Sequence, residues 1–120
     1  MAAKDELGRR GEDLAADYLS EHGLVILARN WRCSEGELDI VATDGIDTVV
    51  FCEVKTRSGT AFGTPMEAVT RTKRRRLRRL AFLWMSTIRP SGWPKLRFDV
   101  VGIVLRDNAK PELTHLVAAF

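Results

Sequence analysis

The run Thr48-Val49-Val50-Phe51-Cys52-Glu53-Val54-Lys55-Thr56-Arg57 constrains this chain more than any other stretch. It starts as an apolar, β-branched strand and ends in charges at alternate positions. Side chains alternate across a strand, so Glu53, Lys55 and Arg57 share one face and Val54 points the other way. On an exposed strand, Glu-x-Lys is an ordinary ion pair. Here the neighbouring residues are apolar, and a charge beside a core needs a partner. A carboxylate and an ammonium displayed together can hold a divalent cation and a water beside a phosphate.

The flanking pattern places this strand in an α/β domain. Leu7, Leu14, Ala15, Tyr18 and Leu19 recur at helical spacing over residues 5 to about 22, with Gly23 placed to end the helix. Glu12 falls at the margin of its apolar arc, where the helix meets the sheet. Strands are expected over 24–32 and 37–42, separated by the polar turn Cys33-Ser34-Glu35-Gly36. In the second of these, simple alternation puts Glu37, Asp39 and Val41 on one face and Leu38, Ile40 and Ala42 on the other. Asp44-Gly45 signals a turn into strand 48–57. An odd-length connection such as Gly45-Ile46-Asp47 sets Asp39 opposite Glu53 on the same face, whereas a one-residue slip would separate them.

Residues 58–63 read as a loop. Thr64, Pro65 and Glu67 form a capping-box start for a helix that runs to about Thr87. The stretch Arg89-Pro90-Ser91-Gly92-Trp93-Pro94 breaks it. Strands follow at 96–105 and about 112–118. The expected architecture is one α/β domain over 1–120, with a central mixed sheet of four or five strands flanked by the N-terminal helix and a basic helix.

Charge is concentrated in that second helix. Seven basic residues and no acid lie between Arg71 and Arg79; the chain carries +3 overall, so the remainder carries −4. Such a local excess suggests a polyanionic partner. On a helical projection Arg71, Arg74, Arg75, Arg78 and Arg79 lie outside the apolar arc, as a solvated face or a phosphate-tracking patch. Lys73 and Arg76 fall inside it, near Val69, Leu80 and Trp84, and must reach an acid, a carbonyl or a phosphate at the edge of the core.

Cys33 and Cys52 form no C-x-x-C pair, and His22 and His115 are isolated in sequence, so a zinc site lacks ligands. The start has no apolar signal region, and no run approaches the ~20 apolar residues of a membrane span. The expected location is cytoplasmic, with reduced thiols.

Phosphodiester hydrolysis needs a hydroxide at neutral pH, neutralised phosphate charge and a stabilised leaving oxygen. Asp39 and Glu53 are the primary candidates to hold Mg²⁺ or Mn²⁺, with the Val54 carbonyl as a third ligand and Glu12 binding directly or through a water. Lys55 would orient or help deprotonate the attacking water and stabilise developing charge. Arg57, Lys73, Arg74, Arg75, Arg76 and Arg78 are the candidate nucleic-acid contacts. Glu37 is an alternative acid on the metal face. Asp99 shares a strand face with Arg97 and is expected to form a structural ion pair or to bond to the basic helix. Trp31 and Trp93 could stack on bases, but packing at sheet edges is the expectation.

The order helix–Glu12, strand–Asp39, strand–Glu53-x-Lys55, helix resembles the PD-(D/E)-x-K nuclease superfamily, which implies a restriction-endonuclease-like fold. More specifically, the chain resembles the YraN-like family of small bacterial proteins. The resemblance rests on Gly8-x-x-Gly11-Glu12, Asn30-x-Arg32, Gly36-Glu37-Leu38-Asp39, Val50-Phe51-x-Glu53-Val54-Lys55-x-Arg57, Gly63-x-Pro65-x-Glu67-Ala68-Val69, Lys73-x-x-Arg76 and Arg97-Phe98-Asp99-Val100-Val101. It implies a catalytic set of Glu12, Asp39, Glu53 and Lys55. It further implies an endonuclease related to archaeal-type Holliday junction resolvases, acting on branched or structured DNA. Two departures stand out: Leu38 replaces the proline before Asp39, and the mobile-loop serine of the resolvases has no counterpart in a shared motif, Ser34 being the nearest. A homodimer would let two such sites address two strands. The rival expectations are a non-catalytic nucleic-acid-binding module on the same scaffold and a protein-interaction domain that uses the basic helix.

Overall fold

A computed structural model describes residues 2–59 and 69–120. The elements are α1 (Ala2–Glu21), β1 (Val25–Cys33), β2 (Gly36–Thr43), β3 (Thr48–Arg57), α2 (Arg71–Ile88), β4 (Lys95–Val104) and β5 (Glu112–Leu116). The five strands form one sheet in the order β1-β2-β3-β4-β5. Three pairings are antiparallel, and β3 pairs with β4 in parallel across the α2 crossover, so the sheet is mixed. A five-stranded mixed sheet flanked by two helices is consistent with a restriction-endonuclease-like fold.

Each helix covers one face. On one side Ala15, Ala16 and Leu19 of α1 pack with Ile40, Ala42, Cys52, Val101 and Ile103. On the other, Leu77, Leu80, Ala81, Trp84 and Met85 of α2 pack with Leu38, Val41, Val49, Phe51, Phe98 and Val100. Strands β3 and β4 are central and buried on both faces, which explains why residues 49–52 of β3 and 100–104 of β4 read as nearly continuous apolar runs.

The β2–β3 register pairs Thr43 with Val49, Val41 with Phe51 and Ile40 with Cys52, as expected for the odd connection. Asp44 organises that connection by accepting from the backbone N–H groups of Ile46, Asp47 and Thr48. The ladder stops at Ile40–Cys52, whereas β1–β2 pairing runs on to Cys33–Gly36 and β3–β4 pairing to Arg57–Val104. The strands therefore part between Asp39 and Glu53.

Three local expectations change. Leu38 packs on the α2 side with Val41, not with Ile40, so the alternation breaks at Asp39. The break coincides with the end of the β3 ladder and with Asn30 of β1, opposite Asp39, whose left-handed φ of 52° twists the edge strand. The helix expected from Thr64 instead has its described start at Arg71: Val69 and Thr70 are non-helical, and Thr70 is the N-cap, accepting from the Lys73 N–H. Thr64, Pro65 and Glu67 lie outside the described residues. Trp93 is not packed at a sheet edge but is 56% exposed.

At its far end α2 closes with Arg89 in the left-handed region, its N–H donating to the Met85 carbonyl, just before Pro90. Among the described residues, no helix is long and apolar enough to cross a membrane. Cys33 and Cys52 are free thiols.

Candidate active site

The parting of β2 and β3 opens a cleft, and the charged residues gather there. Asp39 sits at the opening, its Oδ2 accepting from the Val54 N–H at 2.8 Å, a side-chain bond that replaces the missing rung of the ladder. From β3, the Lys55 Nζ lies 3.1 Å from Oε2 of Glu53; the two side chains are only 17% and 15% exposed. A half-buried pair of this kind is screened far less than a surface ion pair.

The cleft is open on both faces of the sheet. On the α2 side a cavity of about 410 Å³ is lined by Glu37, Asp39, Glu53, Lys55, Lys73 and Arg76, among others. On the α1 side a cavity of about 860 Å³ is lined by Arg9, Glu12, Asn30, Arg32, Glu37 and Asp39, with Val54 and Thr56 at its floor. Asp39, Glu37 and Val54 border both.

The electrostatics follow from this crowding. Burial, then the adjacent charge of Glu53 and a hydrogen bond shared with it, push the Asp39 carboxyl up to about 8, against the opposing donation from Val54. Burial alone would lower the Lys55 ammonium, but the charge of Glu53 and contact with Lys73 outweigh it and hold Lys55 above its ordinary value. Lys73 is lowered, first by its hydrogen-bond contact with Lys55 and then by that residue's charge.

Glu12 reaches the sheet but takes up other partners. Its Oε1 accepts from Asn30 Nδ2 at 2.7 Å and from Arg29 Nη2 at 3.1 Å; Arg29 also pairs with Asp13 at 2.6 Å. Glu12 shares the larger cavity with Asp39, while Glu53 and Lys55 share the smaller one. Among the described residues, no three His, Cys, Asp or Glu side chains come close enough together to hold a metal ion. The four expected catalytic residues thus meet pairwise through Asp39 and not in one pocket. The helix bearing Glu12 is seated closely: a Cβ added at Gly11 would lie 1.9 Å from Oγ1 of Thr56.

The expected nucleic-acid contacts divide into groups. Lys73 and Arg76 reach the smaller cavity. Arg57 ends β3 and donates to the Thr56 carbonyl. Arg74 and Arg78 lie over aromatic rings: Arg74 is 5.7 Å from the Phe120 centroid, and Arg78 is 5.0 Å from that of Phe98. Arg75 is exposed. Arg79 pairs with Glu35 at 3.1 Å. Glu37 borders the cleft but pairs with Arg32 at 3.0 Å.

Asp99 forms the expected ion pair with Arg97, in a fork of two 2.9 Å bonds. It is fully buried, and it also binds Nε2 of His115 at 2.8 Å and the Ala118 N–H at 2.9 Å. Burial would raise its carboxyl, but Arg97, Ala118 and His115 together hold it below the usual range. His115 is isolated only in sequence, since Nδ1 lies 3.2 Å from the Tyr18 hydroxyl. The only sequence signal at Asn30 is its place in the Asn30-x-Arg32 piece of the resemblance, which does not point to Glu12 as its partner.

The comparisons with known proteins agree with one another. The model of the uncharacterised protein family UPF0102 matches residues 11–103. A UPF0102 protein of Nocardia farcinica (strain IFM 10152) is 51% identical over 117 residues, covering 98% of this chain and 91% of the relative. One of Acidothermus cellulolyticus is 48% identical over 128 residues, covering 99% and 96%. One of Frankia alni is 53% identical over 121 residues, covering 100% and 98%. The chain therefore belongs to the uncharacterised protein family UPF0102.

Proposed function

We propose that this chain is a divalent-cation-dependent endonuclease of the PD-(D/E)-x-K type, cytoplasmic, hydrolysing phosphodiesters of branched or otherwise structured DNA. One observation carries the reading. Two carboxyls and an ammonium, Asp39, Glu53 and Lys55, crowd the opening where β2 and β3 part. A carboxyl held protonated to about pH 8 beside a second carboxylate marks a place that favours added positive charge.

That donor set suits Mg²⁺ or Mn²⁺. Asp39, Glu53 and the Val54 carbonyl would hold the ion, and one or two carboxylates with the remaining positions left to water and phosphate are what Mg²⁺ accepts. Bound there, the ion would supply an acidified water and charge for the phosphate. Lys55, held charged by Glu53, orients the water and neutralises developing negative charge. This makes it a poor proton acceptor; Lys73, lowered by its neighbour, gives up its proton more readily. Glu12 acts through the field it exerts on Asp39.

The engagement of Glu12 by Arg29 and Asn30 favours a second reading, a nucleic-acid-binding module that keeps the scaffold without cleavage. Cleavage of a panel of linear, flapped and four-way DNA with Mg²⁺, Mn²⁺ or EDTA separates the two. The proposal predicts cation-dependent cuts that favour branched substrates. Binding without cuts under every cation condition leaves only the second reading.

A further inference from the structure

Phe82 and Trp93 stand 52% and 56% exposed, and their rings meet at 5.9 Å with a 41° tilt. Large aromatic side chains tend to be well buried, and here two are exposed against each other. Their setting is charged. At about 100° per residue, Arg71, Arg75, Arg78 and Phe82 fall within roughly 60° of one another, so the aromatic pair continues the outward arginine stripe of α2. Arg71, Arg75 and Arg78 are all exposed. The opposite edge of the helix sends Lys73 and Arg76 into the candidate active site. From Lys73 to Phe82 is roughly 14 Å along the helix axis, a span that a short single-stranded arm covers.

We infer that Phe82 and Trp93 form a stacking platform for unpaired bases, and that α2 is a binding track for the single-stranded arm of a nucleic acid. The arginines follow the phosphates, and the exposed π faces take the bases. Every base has a π face, so the platform is tolerant of sequence. A duplex hides its base faces, so it engages the arginines alone. An acidic protein would satisfy the stripe but has no need of two aromatic faces, and charge complementarity together with stacking favours a nucleic acid. The inference rests on the proposal that the partner is nucleic acid, but not on cleavage.

The test measures binding in EDTA by fluorescence anisotropy, using three probes: a blunt duplex, the same duplex with a single-stranded tail, and that duplex with an abasic tail of equal phosphate count. Wild-type protein is expected to bind the base-bearing tail at least about fivefold more tightly than the abasic one. Phe82→Ala and Trp93→Ala should each remove most of that difference while leaving affinity for the blunt duplex unchanged, and Trp93→Phe should restore much of it. Equal affinity for the two tails, loss of affinity for all three probes together, or binding only to an acidic polypeptide overturns the platform. Cleavage with base-independent binding would refute the platform alone. Base-dependent binding without cleavage would refute the nuclease reading alone.

Discussion

Asp39 keeps a proton at neutral pH that an ordinary aspartate would release. Its carboxyl lies at about 8 in the fold, against 3.8 as a free group. The folded chain thus binds this proton more tightly than the unfolded chain. The associated stability is fully present below the unfolded value and is lost as pH rises through about 8. In EDTA, wild-type stability should therefore fall relative to Asp39→Asn between about pH 5 and pH 8. Urea denaturation at several pH values checks this, and a gap that does not change with pH would contradict it. The nearness of Asp39 to Glu53 was legible in the sequence because an odd connection fixes the register of β2 on β3, although the alternation that should also fix their facing breaks at Asp39. The turn of Leu38 toward α2 was not legible. It goes with a left-handed Asn30 on a neighbouring strand and a ladder that stops, and neither leaves a periodic trace.

At the scale of the element, α2 does two jobs that its sequence interleaves. Its buried row binds the sheet and its basic rows face outward, but Arg74 and Arg78 also lie over Phe120 and Phe98. Neutralising the exposed pair by Arg71→Gln and Arg75→Gln should weaken DNA binding and reduce the salt slope by about 0.9 per residue, with unfolding unchanged. Arg78→Gln should in addition cost about 0.5–2 kcal/mol of stability from the lost cation–π contacts. If the salt slope is unchanged, the outward arginines are only a solvated face. Thr70→Ala should cost about 1 kcal/mol by removing the N-cap, as measured by denaturant unfolding. The capping box at Thr64 predicts one unbroken helix, but Val69 and Thr70 are not helical and Thr70 caps α2 itself, an interruption that a local signal upstream does not register.

At the scale of the whole molecule, Asp99 ties together segments far apart in the chain. Arg97 is two residues away, His115 and Ala118 come from β5 and its end, and Tyr18 joins through His115 from α1. Asp99→Ala leaves Arg97 without its carboxylate and should destabilise the fold by about 3–5 kcal/mol. Urea unfolding measures this, and a loss below about 1 kcal/mol would mean the network is not needed. The Arg97 pairing was legible from strand alternation. The histidine and tyrosine contacts were not, because they depend on how β5 and α1 pack over β4. The candidate site was legible in the same uneven way: residue types and strand positions carried Asp39, Glu53 and Lys55, while the partners of Glu12 emerged only with packing.

The proposed cleavage of DNA in the Asp39–Glu53–Lys55 cleft rests on side chains that can be removed one at a time. The most direct measurement compares wild-type protein with Glu53→Ala and Lys55→Ala in single-turnover cleavage of four-way DNA with Mg²⁺, after confirming cooperative unfolding of each. Wild-type protein should cleave and both folded variants should not; no wild-type cleavage, or cleavage at the same rate in both variants, would rule out this cleft as the site.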